Sequence, residues 1–207
     1  MFRLLSYICL LIGVSCMAQS FEPLENSKVF KKELQEKSLH IQTLEVNFTE
    51  AVFSSLLKKP KISTGRIFFT NEDRLRWEKM KPYSEVFISD GSTIQQNRDG
   101  VLVSDEGSTR IFKKMASLMK ELLTASFLES TLFDLSYFEN KTSVSIVLKP
   151  KRKSMAKRMS HINLIFNKQN LALAQLSVYD NSVDYVEYTF SNVKYNTELD
   201  SKLFTNF

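Results

Sequence analysis

Cysteine is almost absent from this chain. There are two, Cys9 and Cys16, both near the N-terminus. Beyond them no disulfide and no thiolate metal site can form, so the fold must rest on its apolar core. Histidine is nearly as scarce: His40 and His161 lie far apart and cannot alone supply a usual metal-ligand set, so no metal is expected. Five glycines and four prolines in 207 residues leave no flexible linker and no low-complexity stretch. No G-x-S-x-G elbow, P-loop or dinucleotide fingerprint is present, so no catalytic residue, no cofactor and no enzymatic activity are expected. The net charge of +5 is too small to point to a nucleic-acid partner.

Residues 1–18, MFRLLSYICLLIGVSCMA, carry one charge, Arg3, then a short apolar run, then small residues at Ser15 and Ala18. That order is a secretory signal peptide, cut after Ala18. The run falls short of the roughly 20 apolar residues that span a bilayer. The rival reading makes Cys16 a lipid-attachment cysteine, although Gly13 stands where such signals carry Leu or Val. Residues 19–207 are expected to form one domain, long enough to bury roughly 70% of the unfolded surface.

Residues 22–42 read as a helix, with Leu24, Val29, Leu34 and Leu39 among Lys and Glu. The period then changes. In residues 44–49, Leu44, Val46 and Phe48 alternate with polar neighbours, which is a half-buried strand. Further short strands are expected at 63–70, 74–78, 85–89, 93–97 and 101–105, with Asp90-Gly91 and Asp99-Gly100 as hairpin turns. A second helix covers about 108–124, capped by Ser108, with Ile111, Met115, Leu118, Met119 and Leu122 in one stripe. Strands resume at 133–138, 143–148, 161–166, 172–179 and 183–190. Turns this short force antiparallel pairing. The fold class is α+β: a curved antiparallel half-barrel of about ten to eleven strands, with helices covering an apolar concave face.

Strand parity puts Leu44, Val46 and Phe48 on one face. It likewise pairs Ile67 with Phe69, Leu75 with Trp77, and Val86 with Ile88. With sixteen phenylalanines, one tryptophan and seven methionines, the chain has much apolar volume for a sheet with one buried face. Two arrangements satisfy the pattern. One is a packed core. The other is an apolar cavity under a methionine-bearing helical lid, since methionine adapts to irregular partners.

The segment 65–91, GRIFFTNEDRLRWEKMKPYSEVFISDG, resembles the signature of the periplasmic outer-membrane lipoprotein carrier family, the LolA-like proteins. The family pattern is a glycine, an aromatic strand, a turn and a strand ending near Arg-Trp-Glu. A proline, an apolar strand and Ser-Asp-Gly follow. Here these are Gly65, Arg76-Trp77-Glu78, Pro82 and Ser89-Asp90-Gly91. Residues 41–50, 190–195 and 203–204 resemble the family's first and last strands. The resemblance implies a half-open barrel that holds acyl chains. Leu44, Val46, Phe48, Ile67, Phe69, Leu75, Trp77, Val86 and Ile88 would then line the cavity, and Ile111, Met115, Leu118, Met119 and Leu122 would form the lid.

It also implies acylated lipoproteins as cargo, an inner-membrane lipoprotein-releasing transporter as donor, an unidentified outer-membrane acceptor, a periplasmic location and a monomer. Where many members carry a basic residue that latches the lid, this chain has Asn71, the candidate gate. The segment 149–158, KPKRKSMAKR, carries Lys149, Lys151, Arg152, Lys153, Lys157 and Arg158 with no acid among them. It reads either as a solvated loop or as a docking site for an anionic surface. Competing functions are a binder of free lipids or glycolipids and a sensor or scaffold that uses the same groove.

Overall fold

The computed structural model describes residues 20–207, so the signal-peptide reading of residues 1–18 lies outside the described residues. Twelve strands form one open antiparallel sheet. In chain order they are β1 (Glu22–Pro23), β2 (Thr43–Phe53), β3 (Lys61–Thr70), β4 (Leu75–Lys81), β5 (Glu85–Ser89), β6 (Ile94–Arg98) and β7 (Val101–Val103). Then come β8 (Phe133–Glu139), β9 (Ser143–Pro150), β10 (His161–Asn167), β11 (Leu173–Tyr179) and β12 (Tyr185–Tyr195). The spatial order is β1-β8-β9-β10-β11-β12-β2-β3-β4-β5-β6-β7. The end strands β1 and β7 do not pair with each other, which leaves a half-barrel rather than a closed one. The expected class holds, with one strand more than expected because Glu22 and Pro23 pair with Glu139 and Phe138.

That pairing corrects the first helix. It does not begin at residue 22 but runs as α1 (Ser27–Ser38). Of the four apolar positions expected to face inward, only Leu34 is fully buried; Val29 and Leu39 are exposed. Residues five apart are rotated by about 140° on a helix, so that series cannot share a face. The buried pair is Phe30 and Leu34, at i and i+4. Phe30 packs edge-on to Phe166 of β10, with ring centroids 5.9 Å apart.

The second long helix, α2 (Glu106–Leu123), starts two residues earlier than expected. Its cap is Asp105 rather than Ser108. The Asp105 carboxylate accepts from the Gly107 N–H at 3.0 Å and from the Ser108 hydroxyl. Both bonds favour its charged form and hold it below the usual carboxylate range, the hydroxyl more strongly. A carboxylate at this end also suits the helix dipole. A 3-10 turn (Ser126–Glu129) then sinks Phe127 into the core, stacked on Phe166.

Cross-strand register sets what faces inward. Val46, Ile67, Trp77 and Phe87 form one row across β2 to β5. Leu44, Phe69 and Leu75 form the next. A third row runs Phe48, Gly65, Lys79, Glu85 and Arg98. Gly65 is there because the Phe48 ring and the Glu78 carbonyl occupy the space a side chain would need. The opposite face has its own small cluster, Phe68, Val86, Ile88 and Phe204.

Candidate functional site

The concave face brings Leu44, Val46, Phe48, Ile67, Phe69, Leu75 and Trp77 together as expected, all within the main core cluster. Val86 and Ile88 are not among them. This is a correction: they lie on the convex face beneath the C-terminal 3-10 turn (Ser201–Phe204). The residue of β5 that faces the concavity is Phe87, opposite Trp77. In β5 the four residues Glu85, Val86, Phe87 and Ile88 are all buried, so burial on both faces erased the alternation.

The signature triplet follows the same parity. Trp77 points inward. Arg76 points outward, donating to the carbonyls of Leu203 and Asn206 at 3.2 and 2.6 Å, and so fastens the C-terminal segment to the convex face. Glu78 sits within 3.4 Å of both Arg66 and Arg76.

On α2, Met119 and Leu122 are buried, and Met115 and Leu118 are partly buried against the core. The side chain of Ile111 lies outside the described residues. The main contact absent from the expected stripe is Phe112, which is 3% exposed and stacks on Phe87 with centroids 4.9 Å apart and planes 10° from parallel. Phe112 also follows i, i+3, i+7, i+10 with Met115, Met119 and Leu122, so it was readable as a second phase of the same stripe.

Among the described residues the hydrogen bonds of Asn71 go to Gln42 rather than to α2. The Asn71 side chain donates to Gln42 Oε1, and its backbone N–H donates to the Gln42 carbonyl at 2.8 Å. The turn that holds it reaches α2 through Asp73, whose carboxylate pairs with Lys120 at 2.7 Å. Here the acid is on the turn and the base is on the helix. Both groups are about half exposed, so the pair contributes roughly 0.2–1 kcal/mol. Arg66 and Arg76 face the convex side, and Arg74 pairs with Glu72 over the Phe204 ring.

Two of the spaces between the sheet and its helices border α2. A small one of about 40 Å³ lies where Leu34 of α1 and Met119 and Leu122 of α2 approach Leu44, Val46 and Phe190. A larger one of about 220 Å³ lies under the N-terminal half of α2, walled by Trp77, Phe87, Phe112, Met115 and Tyr188. Trp77 is fixed there by Phe48 at 5.0 Å and Tyr188 at 5.6 Å.

One side of the larger chamber is charged, which the sequence reading missed. Glu50 accepts from Tyr188 Oη at 2.7 Å and from Lys79 Nζ at 2.8 Å. Glu85 accepts from Arg98 at 2.7 Å and from Gln96 at 2.9 Å. Burial, and then the Glu50 carboxylate, push the Tyr188 hydroxyl well above its ordinary range, so it remains a proton donor. Gln96 is almost wholly buried, and its Oε1 has no hydrogen-bond partner among the described residues. Parity was the available signal, because Glu50 follows Phe48 and Lys79 follows Trp77 by two residues. Among the described residues no cluster suited to a metal ion occurs.

The family of the outer membrane lipoprotein carrier protein LolA matches residues 39–206. The chain belongs to this family. The outer-membrane lipoprotein carrier protein of Pseudoalteromonas translucida is 23% identical over 181 residues, covering 83% of this chain and 79% of that protein. The protein of the same description from Dechloromonas aromatica is 38% identical over 53 residues, 26% of each chain. Among solved structures, a LolA superfamily protein from Nitrosomonas europaea has a TM-score of 0.43 at 12% identity, covering 88% of this chain and 99% of that one. No helix among the described residues is long and apolar enough to cross a membrane.

Proposed function

We propose that this LolA-family protein is a periplasmic, non-enzymatic carrier that shields the acyl chains of lipoproteins beneath α2 on their way from inner to outer membrane. The observation that carries this reading is the chamber of about 220 Å³ between α2 and an aromatic wall, apolar on one side and charged on the other. That division matches an amphiphile: a hydrocarbon tail against Trp77 and Phe112, and a polar end near Glu50, Lys79, Glu85 and Arg98. Gln96 Oε1 offers an unused acceptor close to Glu85.

Size decides how the chamber is used. A dry cavity of about 150 Å³ admits benzene, and drug-sized ligands fill roughly 300–1,000 Å³. With α2 down, the chamber of about 220 Å³ therefore holds the end of a chain, and a whole acyl chain requires α2 to lift. Exposing Phe112, Met119 and Leu122 costs about 1.5–3 kcal/mol each, roughly 5–9 kcal/mol together. Sheltering about 16 methylenes at about 0.8 kcal/mol each is worth roughly 13 kcal/mol. The lid thus stays shut when empty and opens when cargo fills it. The donor on this reading is an inner-membrane lipoprotein-releasing transporter, and residues 1–18 are the signal that directs export and is then cleaved.

Native mass spectrometry of the protein purified from its own cells tests the proposal. A co-purifying acylated protein is the expected result. A free lipid or glycolipid would make it a lipid-binding relative, and a folded partner with no lipid would make it a scaffold.

A further inference from the structure

One end of the sheet collects five connections, because Tyr185 pairs with both Phe53 and Tyr179, and Tyr179 pairs with His161. The β2–β3 hairpin (54–60), the β11–β12 turn (180–184) and the basic β9–β10 connection (151–160) therefore stand side by side. The β4–β5 and β6–β7 connections, next to Glu85 and Arg98, share that end. An aromatic row stiffens its base: His161, Tyr179, Tyr185 and Phe53 stack at 4.2, 4.7 and 4.3 Å.

The hairpin tip is unusual. Leu56 is 92% exposed, Leu57 45% and, on the adjoining turn, Val183 54%. The Ser55 N–H donates to Asp184 Oδ1 at 2.6 Å, so the two apolar tips are held together. Lys58, Lys59 and Lys61 follow at once and are exposed, and no acid occurs from residue 54 to 65. Among the described residues none of the three lysines is in an ion pair. The β9–β10 connection adds Arg152, Lys153, Lys157 and Arg158, all exposed, while Lys151 is paired with Asp134. Acids at this end are Asp180 and Asp184 of the β11–β12 turn and Asp99 of the β6–β7 turn; Asp184 is engaged by Ser55 and Asn181, and Asp99 accepts from the Ser84 N–H.

We propose that this end of the sheet docks on an anionic phospholipid surface, with Leu56 and Leu57 entering the interface and the hairpin lysines reaching the headgroups. A convex tip of two leucines offers far less than the roughly 800 Å² per partner that a stable protein contact uses. It does suit the acyl-headgroup boundary, where leucine side chains find hydrocarbon and lysines extend to phosphate. Each lysine near an anionic surface strengthens binding roughly fivefold. The charged side of the chamber lies at the same end, so docking would bring the chamber's polar side to the membrane. The proposal does not depend on which amphiphile the chamber holds.

The test is flotation of the purified protein with vesicles of phosphatidylethanolamine and phosphatidylglycerol. Binding is expected, and it should weaken with salt. The lysine triple variant K58Q/K59Q/K61Q should lose on the order of a hundredfold. The L56S/L57S pair should lose about tenfold or more, with the melting temperature and fatty-acid binding unchanged. The unchanged fatty-acid binding separates this docking surface from the carrier reading. No binding by the wild type, or binding indifferent to L56S/L57S, would overturn the proposal. So would a photo-crosslinker at position 56 that captures protein rather than lipid in cells.

Discussion

Phe112→Ala separates a packed core from a lid over a ligand chamber. Phe112 is nearly fully buried, lies flat on Phe87 and forms part of the chamber wall. Removing a buried phenylalanine ring costs about 3–5 kcal/mol, and the gain in helix propensity recovers only a few tenths. The loss should therefore lie near 3 kcal/mol, or about 6–12 °C in melting temperature for a domain of this size. The stack on Phe87 exists only while α2 is down, so the same change makes the lid easier to lift. Part of that gain is lost again because Phe112 would also touch the bound chain. A net tightening of fatty-acid binding by on the order of tenfold follows, about 1.4 kcal/mol.

The assay is paired. Urea unfolding followed by circular dichroism gives the stability. Trp77, the chain's one tryptophan and part of the chamber wall, reports ligand by its fluorescence. Stability and affinity should move in opposite directions. A stability loss under about 1 kcal/mol would show that α2 is not packed as described. A full loss of stability with fatty-acid affinity unchanged or lowered would refute the chamber as the ligand site.

Two further predictions concern the frame. Gly65→Ala places a methyl group 2.0 Å from the Glu78 carbonyl oxygen and 2.6 Å from the Phe48 ring, so β4 or Phe48 must shift. The expected loss is about 1–3 kcal/mol in urea unfolding, with a changed Trp77 spectrum because Phe48 is its neighbour; a neutral substitution would contradict this packing. Burial, and secondarily Lys149, hold the His161 imidazole below its ordinary value near 6.5. The folded state thus binds that proton less readily than the unfolded state, so its stabilising contribution is present above about pH 6.5 and fades as pH falls through the lowered pKa. An NMR titration should place the His161 midpoint below about 6.5, and His161→Gln should flatten the acid limb of stability; a midpoint above the free value would reverse the argument.

The antiparallel half-barrel was legible because its strands alternate where one face is wet and because its turns announce themselves. Leu44, Val46 and Phe48 read correctly for that reason. Val86 and Ile88 did not, because β5 is buried on both faces and its parity is silent. The deciding fact was the register Trp77 with Phe87, a partner 10 residues away that only the hairpin supplies. The first helix misled through an apolar series spaced by five, while its true anchor pair, Phe30 and Leu34, is spaced by four. The charged side of the chamber was hidden differently. Glu50, Lys79, Glu85 and Arg98 come from four strands, and each alone reads as a solvated residue at a strand end. They become a site only when cross-strand pairing sets Phe48, Gly65, Lys79, Glu85 and Arg98 in one row, with Glu50 two residues from Phe48 on the same face. That row then ends in two ion pairs beside an aromatic wall. The wall itself rests on Gly65, which leaves room for the Phe48 ring, and on Trp77, which packs against that ring. The charges beside it belong to the register of this particular sheet, and they give the chamber a polar side as well as an apolar one.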